Sequence, residues 1–255
     1  MTTVRDIDKY LSEISPKELS ESWDNDGVMM CRTLDKKAEK ILVALDATSA
    51  AIDYACKNNF DLVVTHHPFI FKKLSRITGF EYKNLEALIK NDVSVLSYHT
   101  RLDSAQGGVN DALANTLCLS DIRGFGGDRG DFGRIGKLPK EMTGEEFALY
   151  LKDKLGCDVR CAFNDGKIIK SVAVLGGSGK DFVFEALMSG ADAYVTSEIP
   201  HNLFIDAKMH DFALYDCGHY YTENPVCEKI KKLLCDNFEG LDVEIFDIKS
   251  PYICY

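Results

Sequence analysis

The strongest constraint on this chain's fold is a repeat. Asp61-Leu62-Val63-Val64-Thr65 and Asp192-Ala193-Tyr194-Val195-Thr196 share an acid, an apolar run and a closing threonine. Further along each copy, His99-x3-Asp103 is matched by His219-x3-Glu223, with the intervening segment eleven residues longer in the first copy. Internal self-similarity fixes architecture before any single element does. Around the first copy the apolar runs Ile41–Leu45, Leu62–Thr65 and Val93–Tyr98 alternate with helical stretches at Ser49–Lys57, Tyr82–Asn91 and Val109–Leu117. Around the second, Ser171–Leu175, Asp192–Thr196 and Phe212–Asp216 alternate with Phe182–Met188 and His201–Met209. That order predicts parallel strands joined by crossover helices. The expected fold is therefore α/β, with two pseudo-twofold-related α/β halves, residues 1–125 and 126–255, that form one compact unit. Their sheets should be mainly parallel, with a metal site in the cleft between the halves.

The remaining segments have simpler readings. Met1–Leu19 has helical spacing, with a break expected at Pro16. Asp121–Gly136 is rich in glycine and charge and is expected to connect the halves. Thr143 with Glu146 is a capping-box signature for a helix over Gly144–Leu155. A last strand is expected over Val243–Ile248.

The histidines give the repeat its chemistry. Leu62–Thr65 reads as a buried parallel strand, and His66-His67-Pro68 follows at its carboxyl end, where open α/β sheets place ligand sites. Neighbours on an extended strand point to opposite faces. Both rings can reach one site only where the strand is ending, or where two ions sit side by side so that each ring serves its own. The plain alternative is a pair of loop histidines on the surface. Strand-end residues of both copies supply His66, His67, His99 and Asp103 from the first and His219 and Glu223 from the second. Imidazole and carboxylate together suit zinc, iron, manganese or nickel. Six such groups exceed what one catalytic ion needs, and Glu223 or Asp103 could bridge two ions. The alternative for each H-x3-[DE] pair is a hydrogen bond between residues i and i+4 at a helix start.

Composition narrows the partners. With 255 residues, 45% hydrophobic and 27% charged, the chain is long enough for a well-buried core and has ordinary globular composition. A formal net charge of −10 opposes nonspecific nucleic-acid binding, which depends on basic residues neutralising phosphates. Nine scattered cysteines without a C-x-x-C spacing suggest reduced thiols rather than a disulfide framework. No leader pattern opens the sequence and no apolar run reaches membrane-spanning length, so a cytoplasmic protein without a membrane partner is expected.

Several motifs together resemble the Nif-three-like family, whose members are often labelled GTP cyclohydrolase I type 2 homologues. They are Trp23-Asp24-Asn25-x-Gly27, Thr65-His66-His67-Pro68, His99-Thr100-x-Leu102-Asp103 and Gly107-Gly108-Val109-Asn110-Asp111 in the first half. Gly176-Gly177-Ser178-Gly179, Thr196-x-Glu198-x-x-His201 and Gly218-His219-Tyr220-x-Thr222-Glu223 follow in the second. The resemblance runs nearly end to end and implies a dinuclear metal site held by His66, His67, Asp103, His219 and Glu223. His99 fits the motif and is expected beside the ions as an acid–base group. The resemblance also implies a ring-shaped homohexamer. Arg101 stands where the family usually has asparagine, Ser197 where glycine is usual and Asp26 where an apolar residue is typical.

The expected function is a metal-dependent hydrolase acting on a nucleotide-like small molecule. Two divalent ions, zinc, iron or manganese, would activate a bridging hydroxide for GTP cyclohydrolase-type or phosphoester hydrolysis. His99 and Glu198 are the candidate catalytic proton shuttles. Lys72, Lys73 and Arg76, with the Gly176–Gly179 loop, are candidates to hold phosphate, although a plain strand-to-helix turn explains the glycines as well. The alternative function is a non-catalytic metal-binding scaffold or regulatory protein within the ring.

Overall fold

The computed structural model describes residues 1–253, and within them the chain forms two compact units. The first comprises Met1–Gln106 together with Val226–Lys249, and the second comprises Gly107–Pro225 with the segment from Ser250.

The first unit begins with α1 (Val4–Ile14), β1 (Gly27–Met30), β2 (Lys40–Ala44), α2 (Ser49–Lys57), β3 (Leu62–Thr65), α3 (Gly79–Lys90), β4 (Ser94–Ser97) and α4 (Thr100–Ser104). The second unit holds α5 (Val109–Thr116), β5 (Ser120–Phe125), β6 (Gly133–Thr143), α6 (Gly144–Leu155), β7 (Arg160–Ala162) and β8 (Ile168–Val174). It continues through α7 (Val183–Met188), β9 (Ala193–Thr196), α8 (His201–Met209), β10 (Ala213–Asp216) and α9 (His219–Glu223). The chain then returns to the first unit through α10 (Pro225–Asn237) and β11 (Asp242–Ile245).

The first sheet has the order β1-β4-β3-β2-β11, and only β1 runs antiparallel to its neighbour. The second has the order β5-β6-β8-β9-β10-β7, with a parallel core of β8, β9 and β10 flanked by antiparallel strands. The repeat is visible in this topology. Edge strands β1 and β7 pair antiparallel with β4 and β10, and β4-β3-β2 matches β10-β9-β8 in order and direction. The aligned acids also do the same work. Asp61 Oδ2 accepts from the Glu39 and Lys40 amides at 2.9 and 3.0 Å, and Asp192 Oδ2 accepts from the Lys170 and Ser171 amides at 3.0 and 2.9 Å. Each carboxylate ties the start of the neighbouring parallel strand and so helps to set register.

Burial follows from the strand period. In the second sheet, Val172, Val174, Ala193, Val195, Ala213 and Tyr215 pack into one cluster. The residues between them, Ala173, Tyr194 and Leu214, pack into another. A sheet covered on both faces explains why these strands read as continuous apolar runs. In the first unit, Leu42, Ile52, Val63, Leu88 and Val95 form a core cluster, and each such side chain contributes about 1.5–3 kcal/mol on burial.

Several local expectations change. The first helix ends at Ile14, and Lys17–Leu19 forms a separate short turn beyond Pro16. Asp121–Gly136 is not a connection between halves. It contributes β5, a glycine turn and the start of β6, which pairs with β8, so the chain enters the second unit at Gly107 instead of near residue 126. The last strand is Asp242–Ile245 and it pairs with β2, which returns the C-terminal segment to the first unit. The capping box forms, with Thr143 Oγ1 accepting from Glu146 N and Glu146 accepting from Thr143 N. The eight described cysteines are free thiols, and Cys254 lies outside the described residues. Among the described residues no helix is long and apolar enough to cross a membrane.

Candidate metal centre

In the first unit the carboxyl ends of three adjacent parallel strands deliver the polar groups. Thr65 is the last strand residue of β3, and its hydroxyl pairs with Ser97 Oγ at 2.8 Å and donates to the His67 carbonyl at 2.8 Å. The backbone therefore turns at His66, and the two adjacent rings come to lie with centroids 4.9 Å apart. The strand's ending is thus what brings them together. His99 joins them, with its ring 5.3 Å from His66 and 5.6 Å from His67. Nitrogen atoms of all three can be chosen within 4.8 Å of one another, as ligation of one ion requires. Asp103, buried on α4, places Oδ1 3.6 Å from His66 Nε2.

Each ring is held by its other nitrogen. His66 Nδ1 donates to the Tyr98 carbonyl at 2.9 Å, His67 Nδ1 to Asp46 at 2.8 Å and His99 Nδ1 to Asp24 at 2.8 Å. A carbonyl or carboxylate accepts only, so the proton sits on Nδ1 and Nε2 carries the lone pair. Metal-binding histidines show this outer arrangement. Asp24 also accepts from the Thr100 amide and hydroxyl at 3.0 and 2.6 Å. Burial works to raise its pKa, but the bonds from His99 and Thr100 outweigh it and bring the carboxyl down to about 2.

The second unit builds a smaller donor set on the matching strand ends. His219 opens α9 after Gly218, and its Nδ1 donates to Glu198 Oε1 at 2.7 Å. Its Nε2 faces Glu223 Oε2 at 2.9 Å, one helical turn along. A neutral imidazole donates from one nitrogen only, so with Nδ1–H on Glu198 the Nε2 lone pair faces Glu223, an arrangement in which the two could share a cation. The donor chemistry fits a divalent ion. Glu198 has φ +57°, a left-handed conformation uncommon outside glycine, at the position where its carboxylate bonds His219. Burial raises its pKa, while the hydrogen bond and charge of His219 act more strongly, and the net shift is downward.

The glycine loop after β8 serves this pair rather than a phosphate. The Gly176, Gly177 and Gly179 amides donate to Asn110 Oδ1, Thr222 Oγ1 and Thr196 Oγ1, so they are already used within the protein. A Cβ on Gly177 would fall 2.0 Å from Glu223 Oε1 and 3.1 Å from His219 Nε2, and φ there is +67°. Gly166 has a similar φ of +74° but open space around it. Both Gly→Ala variants should lose about 1–2 kcal/mol from the backbone conformation. Only Gly177→Ala should also displace Glu223, seen as zinc affinity reduced at least about tenfold in calorimetric titration, the scale of disturbed metal-site supports. Equal zinc affinities in the two variants would refute this.

Ser197 and the other two departures from the family pattern have structural partners. Arg101 Nε lies 3.4 Å from Asp26 Oδ2, both side chains are buried, and the guanidinium stands 4.3 Å from the Tyr98 ring centre. Asp26 also holds Lys17 Nζ at 2.6 Å and Ser20 Oγ at 2.8 Å. The two unusual residues therefore form a pair, and it supports α4, which carries Asp103. The Ser197 hydroxyl donates to the Gly177 carbonyl at 2.5 Å and braces the same loop.

Within the first unit the structure gathers His66, His67, His99 and Asp103, and within the second His219, Glu223 and Glu198. Asp24 and Asp46 escaped sequence reasoning as parts of the centre. Their signal was position: Asp46 ends the apolar run of β2, and Asp24 sits in the polar turn with the sole tryptophan.

The chain is similar to known proteins over nearly its whole length. A family model described as Duf34/NIF3 (NGG1p interacting factor 3) matches residues 2–251. A curated relative from Clostridium perfringens, called a GTP cyclohydrolase 1 type 2 homolog, is 34% identical over 260 residues, covering 98% of each chain. The crystal structure of Staphylococcus aureus protein SA1388 superposes with a TM-score of 0.90 at 26% identity, covering 100% of this chain and 99% of that one. The structure of reduced HcgD from Methanocaldococcus jannaschii gives a TM-score of 0.82 at 30% identity, covering 98% of each chain.

Proposed function

The chain belongs to the Duf34/NIF3 family, and from that premise we propose that it is a dinuclear metal-dependent hydrolase acting on a nucleotide-like substrate. His66, His67, Asp103, His219 and Glu223 would hold two divalent ions, zinc, iron or manganese, with Glu223 or Asp103 as the shared carboxylate. The observation that carries this reading is the set of histidines whose Nδ1 atoms are each tied to an acceptor. That arrangement fixes ring orientation before any ion arrives and raises ligand basicity.

Bound ions of this kind supply Lewis acidity and lower the pKa of water. The chain's own residues supply positioning and proton transfer. His99 keeps Nδ1 on Asp24, so its Nε2 is the atom that takes and returns a proton. Asp24 stays ionised at neutral pH and stabilises the ring when it becomes charged. Glu198 has its Oε1 on His219 Nδ1, so in this reading it orients a ligand instead of shuttling protons. The supports at Asp46 and Tyr98 hold His67 and His66 in place while substrate exchanges. The same reading includes a cytoplasmic protein assembled as a homohexamer.

The test is turnover of GTP, other nucleotides and simple phosphoesters by purified protein loaded with each metal. Activity is expected with at least one pairing. His99→Ala should keep its ions and lose about 10²–10⁴ in rate, the usual scale of general acid–base catalysis. Turnover that persists in metal-free His66→Ala would sink the hydrolase reading, as would silence across the whole panel.

A further inference from the structure

Beside the histidines of the first unit stands an aromatic corner that metal binding leaves unexplained. Trp23 and Phe71 have ring centroids 6.0 Å apart at 69°, and each approaches His99, at 6.1 Å and 73° and at 6.0 Å and 83°. Edge-to-face contacts of this kind leave ring faces uncovered, and Trp23 is 60% exposed and Phe71 47% exposed. Each ring therefore presents a large apolar contact area to water.

The corner is held in place. Asp24, next to Trp23, accepts the three bonds from His99 and Thr100 described above, and the Asp24 amide donates to the Glu21 carbonyl at 3.0 Å. The Asn25 side-chain amide donates to the Ile70 carbonyl, which ties the tryptophan turn to the loop that carries Phe71. The Phe69 amide donates to Ser97 Oγ at 3.3 Å and anchors that loop to the end of β4. Rings fixed before a ligand arrives lose little freedom on binding it. Lys72, Lys73 and Arg76, all exposed, follow Phe71 in the same loop and give a locally basic stretch to a chain of net charge −10.

We infer that the corner of Trp23, Phe71 and His99 is a stacking subsite for the planar heteroaromatic ring of a small anionic ligand. The lysines and Arg76 meet its phosphate. The inference rests on the metal-centre reading for where the ligand reacts, and it adds the part of the protein that recognises the ring. Stacking tolerates any base because every base has a π-face. The ring would thus be required without its identity being strongly selected. Binding of this kind places the ring against His99, the residue with a proton-accepting nitrogen to spare.

The chain's single tryptophan makes the test direct, since its fluorescence reports on Trp23 alone. Metal-loaded protein, with ion content measured, is titrated with GMP, AMP and guanosine, and with ribose 5-phosphate and inorganic phosphate as ringless controls. Saturable quenching is expected from the three ring-bearing compounds and not from the two controls. Trp23→Leu and Phe71→Ala should each weaken GMP binding in calorimetry roughly 5- to 100-fold, the scale of losing one stacking partner, with ion content unchanged. Loaded protein that shows no quenching by any ring compound overturns the inference and leaves the metal reading standing. Protein that holds no ions yet is quenched keeps the subsite and removes the metal reading. If Trp23→Leu changes the sedimentation coefficient but not the GMP affinity, the corner is covered by a second copy of the chain and the inference fails.

Discussion

Desalted after loading with zinc or manganese, the wild-type protein is expected to retain two ions per chain, and Glu223→Gln and His66→Ala to retain one or none. Glu223 is buried, within 2.9 Å of His219 Nε2, and accommodated only because Gly177 lacks a side chain. Glutamine keeps its shape while removing the charge that a divalent ion needs. His66 is fully buried with its ring fixed on the Tyr98 carbonyl, so alanine there removes a preset donor that water cannot replace at the same geometry. Losing an outer support usually costs 10- to 100-fold in metal affinity, so loss of a direct ligand should exceed about 100-fold. Elemental analysis gives the stoichiometry, and circular dichroism confirms that the variants remain folded. Two ions retained by folded Glu223→Gln would mean that this carboxylate is not a ligand.

The second large effect is expected at the Arg101–Asp26 pair. Removing one partner of a buried ion pair leaves an uncompensated charge and costs about 3–5 kcal/mol. Arg101→Asn strands Asp26 only in part, because Lys17 and Ser20 still reach it. A loss of about 3 kcal/mol in urea unfolding is therefore expected, at the low end of that range. Arg101→Asn combined with Asp26→Leu removes both buried charges together. It should recover part of that loss, with a coupling of about 1–3 kcal/mol between the sites. Changes that add to within about 0.5 kcal/mol would show that the two positions act independently. Because the pair holds α4, Arg101→Asn should also loosen Asp103.

Much of this organisation was legible in the sequence because strand period and repeat both leave simple traces. The acid before each second strand, Asp61 or Asp192, is recognisable because it performs the same backbone task in both copies. The donors His66, His67, His99 and His219 are visible because chain order alone puts them at strand ends. What escaped was set by contacts between residues far apart in the sequence. Asp24 lies 75 residues from the His99 ring it holds, and nothing in its own turn announces that partner. Glycine and charge over Asp121–Gly136 suggest a linker, whereas pairing of β5 with β6, and of β6 with β8, places both ends of that stretch in the sheet. Arg101 and Asp26 looked like separate oddities until their side chains were seen to meet.

The return of β11 to the edge of β2 has a consequence for how the protein is made. Ile41–Ala44 emerges from the ribosome roughly 200 residues ahead of its outer neighbour, Asp242–Ile245. At typical translation speeds of 5–20 residues per second, that edge stays open for roughly 10–40 s. During this interval the second unit can complete its own sheet, while the first displays an unpaired, strongly apolar strand. Open edges of this kind are templates for pairing with other chains. Nascent protein and C-terminal truncations should therefore lean on chaperones far more than the finished molecule does.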